Sequence, residues 1–423
     1  VRVLLITHGS RGDVQPFVAL SLALTTAGHD VVLACPAGST SLANIYCETV
    51  IPLDDGTNKL VNDRKAWKAV ESNFRGVRGK VLGLQLMWHN RTAMAPVFED
   101  LAVLTSQVAG QVDLVVHQVN VPGHAIAEKL GVPAVVVCLQ PFWVPTRSFP
   151  DPLFPFPVPA VLNRASYLTT KTFVRALTGN FGEWRHERLA LPDRRHGSDV
   201  LRNPDGSPAV VLQAFSEHLL PEGVRYPDSV HTPGFFYLHA QPDWSPSLEL
   251  SQFLADGPPP VYVGFGSMVG SDPAKTARIV AEAIRKAEVR AVVAVGRGGI
   301  RPEVVGKDMF CLDQAPHDWL FPRMAAVVHH GGAGTVGAAL ASGRPQVVCP
   351  FMFDQPYFGR RLHVCGVAPP ALPLRTLTSD ALASAIRQAA CDASYAMRAE
   401  ELGHLVRTEN GAHQAVKILE TIA

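Results

Sequence analysis

The chain has 423 residues, 47% of them hydrophobic and 18% charged, with 38 basic against 37 acidic side chains. That balance excludes a protein whose main task is neutralising a nucleic-acid backbone, and the hydrophobic fraction excludes wholesale disorder. The longest apolar run, residues 132–139, is far short of the ~20 residues that span a bilayer, no basic-then-apolar leader opens the chain, and seven cysteines without CxxC spacing read as reduced thiols, so the expectation is a soluble, cytoplasmic, multidomain protein without an integral membrane segment.

Residues 1–6 are mostly apolar and β-branched and predict a first strand, which runs into the turn THGSRGD at 7–13. A helix is expected from Pro16 to Thr26, closed by Gly28, and a second strand at 31–34. Continuous apolar strands alternating with amphipathic helices predict an α/β fold with a parallel sheet covered on both faces. The pattern returns as a strand at 113–117, a helix at 123–130 and a strand at 134–138. Residues 141–160 interrupt it with seven prolines and five aromatics, which suit neither a helix interior nor a central strand. Two readings stay open there, a stiff surface loop or the apolar wall of a binding cleft.

Residues 232–260 are rich in turn and breaker residues and read as an interdomain connection. The opening plan then repeats: a strand from Val261 into the VGFGS turn, a helix at 273–286, strands at 291–295 and 326–329, a helix at 334–341 and a strand at 346–349. Residues 379–422 read as two or three helices with a break at Asn410–Gly411. The expected organisation is two doubly wound Rossmann-like domains: residues 1–230, a linker at 231–260, residues 261–405, and a last helix at 406–423 that packs back on the first domain.

Three strand-to-helix turns carry glycines: 9–12, 264–267 and 331–335. Free backbone N–H groups and the helix dipole make such a turn an anion site, although many glycines there serve only a positive φ. The third turn follows His329-His330, and a histidine beside a phosphate can donate a hydrogen bond. Downstream, Asp354 and Gln355 follow a strand end, where open α/β sheets bind ligands. An anion cradle beside an Asp-Gln pair suits a phosphate joined to a polyhydroxyl group. A competing reading is a dinucleotide-dependent oxidoreductase, because residues 332–337 are formally GxGxxG with Asp354 downstream; the late position in the second domain speaks against it. No GK[ST] and no DxD triplet occurs, so a P-loop nucleotidase and a carboxylate-held metal are not expected.

These motifs together resemble the nucleotide-sugar glycosyltransferases of family 1, with the two-domain GT-B fold, and in particular bacterial enzymes that decorate natural products and sterol glucosyltransferases. The resemblance covers essentially the whole chain. It is carried by GSRGDVQP at 9–16, PPPVYVGFGSM at 258–268, PHDWLFP at 316–322, VHHGGAGT at 328–335 and DQP at 354–356. It implies inverting, metal-independent transfer of a sugar from a UDP- or dTDP-sugar, a co-substrate needing no further cofactor, to a hydroxyl of a hydrophobic small molecule such as a polyketide, macrolide or sterol. By motif position Asp13 is the candidate general base, with a helix N-cap as its alternative role, and His8 is a rival. Where relatives carry a supporting acid this chain has His117, which either orients the acceptor or packs.

The resemblance further implies that His330 and the backbone of Gly332, Gly334 and Thr335 hold the diphosphate. Ser267 and the loop of Ser10, Arg11 and Gly12 close on it, Asp354 and Gln355 hold the sugar, and Gln314 and His317 lie near the base. Trp88, Phe142, Trp143, Phe149, Phe154 and Phe156 are apolar candidates for the acceptor walls. A monomer or homodimer is expected. A sugar-nucleotide epimerase of the same fold is the alternative.

Overall fold

The computed structural model describes residues 1–60, 76–153, 158–172, 181–193, 199–266, 272–295 and 308–423, and only the backbone of residues 60 and 76–88. Two parallel sheets organise it. The first has seven strands: β1 (Arg2–Ile6), β2 (Asp30–Pro36), β3 (Thr49–Leu53), β4 (Leu114–Gln118), β5 (Ala134–Cys138), β6 (Val210–Gln213) and β7 (Val230–His231). Their spatial order is β3-β2-β1-β4-β5-β6-β7. The second has five: β8 (Val261–Gly264), β9 (Ala291–Ala294), β10 (Met309–Leu312), β11 (Ala326–His329) and β12 (Gln346–Val348), in the order β10-β9-β8-β11-β12.

Each order reverses once, between β1 and β4 in the first sheet and between β8 and β11 in the second. At such a switch point the connections leave in opposite directions and open a crevice beyond the strand ends. The turns of 7–13 and 330–335 each leave a strand at its own sheet's switch point. Fold topology thus puts the two most informative turns at the two places an α/β sheet is built to receive a ligand.

The first helix starts at Arg11, earlier than the Pro16 expected, because Ser10 and Asp13 form a capping arrangement that nucleates it. Pro16 lies inside this helix and removes the bond that would otherwise reach the Gly12 carbonyl. Residues 379–422 form three helices, Ser379–Cys391, Ala393–Glu409 and Gly411–Glu420, with Asn410 at φ 50° as the break. The last of them buries Ala412, Ala415, Val416 and Leu419 in the same apolar cluster as Phe17, Leu20 and Leu24 of the Arg11–Thr26 helix. A second cluster joins the two halves: Phe149, Tyr167, Phe215 and Leu219 pack with Val336, Leu340, Tyr357 and Phe358. Arg361 donates to the carbonyls of Leu219 (2.8 Å) and Leu220 (2.7 Å) across the same seam.

Candidate active site between the two sheets

Strand β1 delivers Thr7, His8 and Gly9 to the crevice, and the helix from Arg11 turns Asp13 back over them. The Asp13 Oδ2 accepts from the Ser10 backbone N–H at 2.8 Å and from the Ser10 hydroxyl at 3.0 Å. Gly9 permits this: its φ is +142°, and a Cβ there would collide with the Asp13 carboxylate. The other oxygen, Oδ1, accepts from Gln118 Nε2 at 2.9 Å. Burial pushes the Asp13 carboxyl above the usual carboxylate range, opposed by these hydrogen bonds. A carboxylate so raised is a stronger base than an exposed one.

His8 is 3% exposed, and its Nε2 donates to the Asp54 carbonyl at 3.0 Å. Burial lowers its pKa, so it stays neutral with that nitrogen already committed. His117 departs from the acceptor and supporting roles alike. It is fully buried, its ring lies against the backbone of Gly123, and its Nδ1 sits 3.0 Å from the Gln118 carbonyl. Strand alternation explains this, since neighbours on β4 face opposite sides of the sheet. The residue that reaches Asp13 is Gln118, one position on. The register pairs Ile6 with His117, which sets Gln118 beside Thr7, and that pairing was the missing signal.

Across the crevice β11 ends in two histidines with different tasks. His329 is fully buried. Its Nδ1 accepts from the Gly331 N–H at 3.0 Å, so its Nε2 carries the proton and donates to Gln346 Oε1 at 2.8 Å. His330 turns the other way. A Cβ on Gly332 would collide with its Nε2, and one on Gly266 would lie 3.2 Å from its Cε1, so both glycines make room for the ring. Its Nδ1 is buried without a partner, and burial brings its pKa down to about 4. A neutral imidazole there offers one N–H. The Ala333–Ala341 helix begins at its N-cap Gly332, so the N–H groups of Ala333, Gly334 and Thr335 lack intrahelical acceptors and point out of the helix end. Ser267 lies outside the described residues.

Asp354 precedes the Gln355–Val364 helix and follows Phe353, whose φ of +54° is unusual for a bulky side chain. Its carboxyl is pushed up to about 7, by burial first and also by the charge of Asp13, so the two carboxyls lie near enough to interact. Gln355 is less free than expected. Its Oε1 accepts from the N–H groups of Phe351 (2.7 Å) and Met352 (3.1 Å), which shapes the turn under Asp354 and leaves only its amide nitrogen for a ligand.

Arg11 closes the crevice at its rim, donating to Gln314 Oε1 at 3.3 Å and through Nε to Gln15 at 3.1 Å. His317 stacks on Phe321 with ring centroids 4.2 Å apart. Burial first, then the positive charge of Arg11, brings its pKa down to about 4. The Arg11–Gln314 bond thus brings the loop of Ser10, Arg11 and Gly12 beside Gln314, and His317 lies near enough to Arg11 and His330 to interact with both. Trp319 packs on Trp244 of the connecting segment at 5.0 Å.

The apolar candidates divide. Phe142 and Trp143 pack beside the β5 end with ring centroids 4.9 Å apart and planes tilted by 39°, Phe142 buried and Trp143 half-buried with its Nε1 donating to Gln140. Phe149 is buried in the seam between the halves, 5.7 Å from the Tyr357 ring, so it joins the two halves and lines no open wall. The side chains of Trp88, Phe154 and Phe156 lie outside the described residues.

Residues 286–422 match the model of the erythromycin biosynthesis protein CIII-like C-terminal domain. A sterol 3-beta-glucosyltransferase of Arabidopsis thaliana is 30% identical over 98% of this chain and 67% of its own length. One from Emericella nidulans is 30% identical over 99% of this chain but 30% of its own length. The chain thus spans from under a third to about two thirds of the curated relatives it matches. Among solved structures, the glycotransferase of kitacinnamycin aligns with TM-score 0.69 at 18% identity, over 99% of this chain and 98% of that one. The glycosyltransferase VinC, solved with dTDP, aligns with TM-score 0.65 at 20% identity, over 100% and 99%. With both sheets, both switch points and these likenesses in agreement, the chain belongs to the family 1 nucleotide-sugar glycosyltransferases of GT-B fold.

Proposed function

We propose that this protein transfers a sugar from a UDP- or dTDP-sugar to a hydroxyl of a hydrophobic natural product or sterol, with inversion and without a metal. The observation that carries this is the packing of the Arg11–Thr26 helix, which holds Asp13, against the Ala333–Ala341 helix, whose free end follows His330. The diphosphate is held from the second domain by the free N–H groups at the helix end and by His330, with Arg11 adding a positive charge at the rim. The acceptor hydroxyl enters from the first domain beside Asp13. Its oxygen attacks the anomeric carbon from the side opposite the diphosphate. The C–O bond to the diphosphate breaks with its electron pair leaving on the phosphate oxygen, and the hydroxyl proton passes to Asp13. Attack opposite the leaving group inverts the anomeric centre. Asp354 holds sugar hydroxyls, and Phe142 and Trp143 support a flat acceptor. The likeness to a sterol 3-beta-glucosyltransferase supports a sterol as one acceptor class.

The test is turnover with UDP-glucose and dTDP-glucose over hydroxylated polycyclic acceptors including a sterol, in EDTA, with the product anomer read by NMR. An α-linked donor should give a β-linked product, undiminished by the chelator. A retained configuration, or activity that returns only with a divalent cation, would contradict the mechanism.

A further inference from the structure

We propose that Gln118 is the positioning residue for Asp13, holding one carboxylate oxygen by its amide N–H so that the other face of the carboxyl meets the acceptor. The proposal rests on the reading of Asp13 as the base. The amide orientation follows from its partners. Gln118 Oε1 lies 3.1 Å from the His8 backbone N–H, which can only donate, and 2.8 Å from the Thr7 hydroxyl. The oxygen therefore faces β1, and Nε2 must face Asp13 Oδ1, at 2.9 Å. Gln118 is 3% exposed, so this amide has few other conformations. The network ties both sides of the first switch point together: Thr7 and His8 leave β1, Gln118 ends β4, and Asp13 sits above them.

The chemistry fits a neutral supporter. Ser10 already supplies two donors to Oδ2. A carboxylate at 118 would place a like charge beside Asp13 and compete for its proton. An amide donates without titrating, stabilises the charged form of Asp13 and fixes its plane. Among the described residues, two titratable groups interact electrostatically with Asp13. His8, on the same turn, is neutral with Nε2 committed to Asp54. Asp354, from the second half of the chain, adds a like charge near enough to interact with it.

The experiment compares wild type, Gln118→Leu, Gln118→Glu and Asp13→Asn, reading kcat and acceptor KM across pH, with nucleoside diphosphate binding as the check on folding. Losing the donor should lower kcat of the Leu variant about tenfold and leave KM nearly unchanged, and it should move the acid limb up by ~0.5–1 pH unit, because the charged carboxylate loses a hydrogen bond. In Gln118→Glu the limb should move further, with two carboxyls sharing one proton. The Glu variant keeps the side-chain shape, so it reads the same limb if the Leu variant fails to fold. A wild-type acid limb in either folded variant overturns the proposal. Turnover surviving in Asp13→Asn would instead overturn the base assignment, and an inactive Asp13→Asn beside unshifted Gln118 variants confines the failure to Gln118.

Discussion

Asp13 holds a helix end and faces a crevice with the same side chain, and its two oxygens divide the work. Oδ2 is taken by Ser10, as a capping arrangement requires, while Oδ1 meets only the Gln118 amide. Replacing the carboxylate by an amide should leave the helix capped but remove the proton acceptor. Asp13→Asn is expected to lower kcat by about 10²–10⁴, with nucleotide binding by the second domain unchanged in calorimetry. Asp354 offers a second test. With its carboxyl pushed up to about 7, it carries a proton in part near neutral pH. Sugar hydroxyls that donate to its charged form would lower that value. Binding of a nucleotide sugar at pH 7 should therefore release more protons than binding of the matching nucleoside diphosphate, read as a dependence of binding enthalpy on buffer ionisation; equal release would remove Asp354 from the sugar subsite. The resemblance singled out Asp13 by motif position, and the glycine turn and the strand end beside them singled out His330 and Asp354. Gln118 was not, because choosing between positions 117 and 118 needs the register of β4 against β1, and a one-residue slip exchanges the faces.

Elements were legible where their period was strong. The strands at 1–6, 134–138 and 326–329 are buried along most of their length and read as mostly apolar runs. Those that escaped include β3, which carries Pro52, tolerated because it is the sheet's edge strand, and β6 and β10, which run into no glycine turn. The Gly76–Gln107 helix, 32 residues long, contains Pro96 and several glycines and has no clear apolar stripe. The junction between the last two helices carries a prediction of its own. Glu409 accepts from the Ser216 hydroxyl at 2.6 Å, its Oε2 is buried without a partner, and burial pushes its carboxyl up to about 7. The folded state thus binds this proton more tightly than the unfolded chain does. The stability it contributes is fully present below the unfolded carboxylate range and is lost as pH rises toward 7. Glu409→Gln should raise stability by about 2 kcal/mol at pH 8 and by little at pH 5, measured by denaturant melts at both values; no difference between them would contradict the buried carboxyl.

At the scale of the molecule, two sheets with matching switch points are joined by contacts that include the aromatic seam around Phe149 and Tyr357, the Arg361 bonds to Leu219 and Leu220, and the Arg11–Gln314 bond at the rim. The return of the last helix to the first domain adds a covalent strap. Removing residues 411–423 uncovers Phe17, Leu20 and Leu24 and forfeits the burial of Val416 and Leu419, a loss on the order of 5 kcal/mol. The truncated chain should unfold at markedly lower denaturant, and wild-type stability would deny the strap its role. The doubled α/β plan was legible because its strand–turn–helix unit occurs twice around a breaker-rich connection. The seam was not, since residues 141–160 read equally well as a stiff surface loop or as a cleft wall until the Tyr357 partner of Phe149 is seen.

The central claim is a diphosphate cradle in the second domain, built on His330 and the helix end after it. Calorimetric titration of UDP and dTDP into wild type and His330→Ala tests it most directly. Saturable binding of at least one nucleotide, weakened about tenfold or more by the substitution, as loss of a hydrogen bond to a charged group implies, is the predicted result. Binding of neither nucleotide, or equal binding by both proteins, would contradict it.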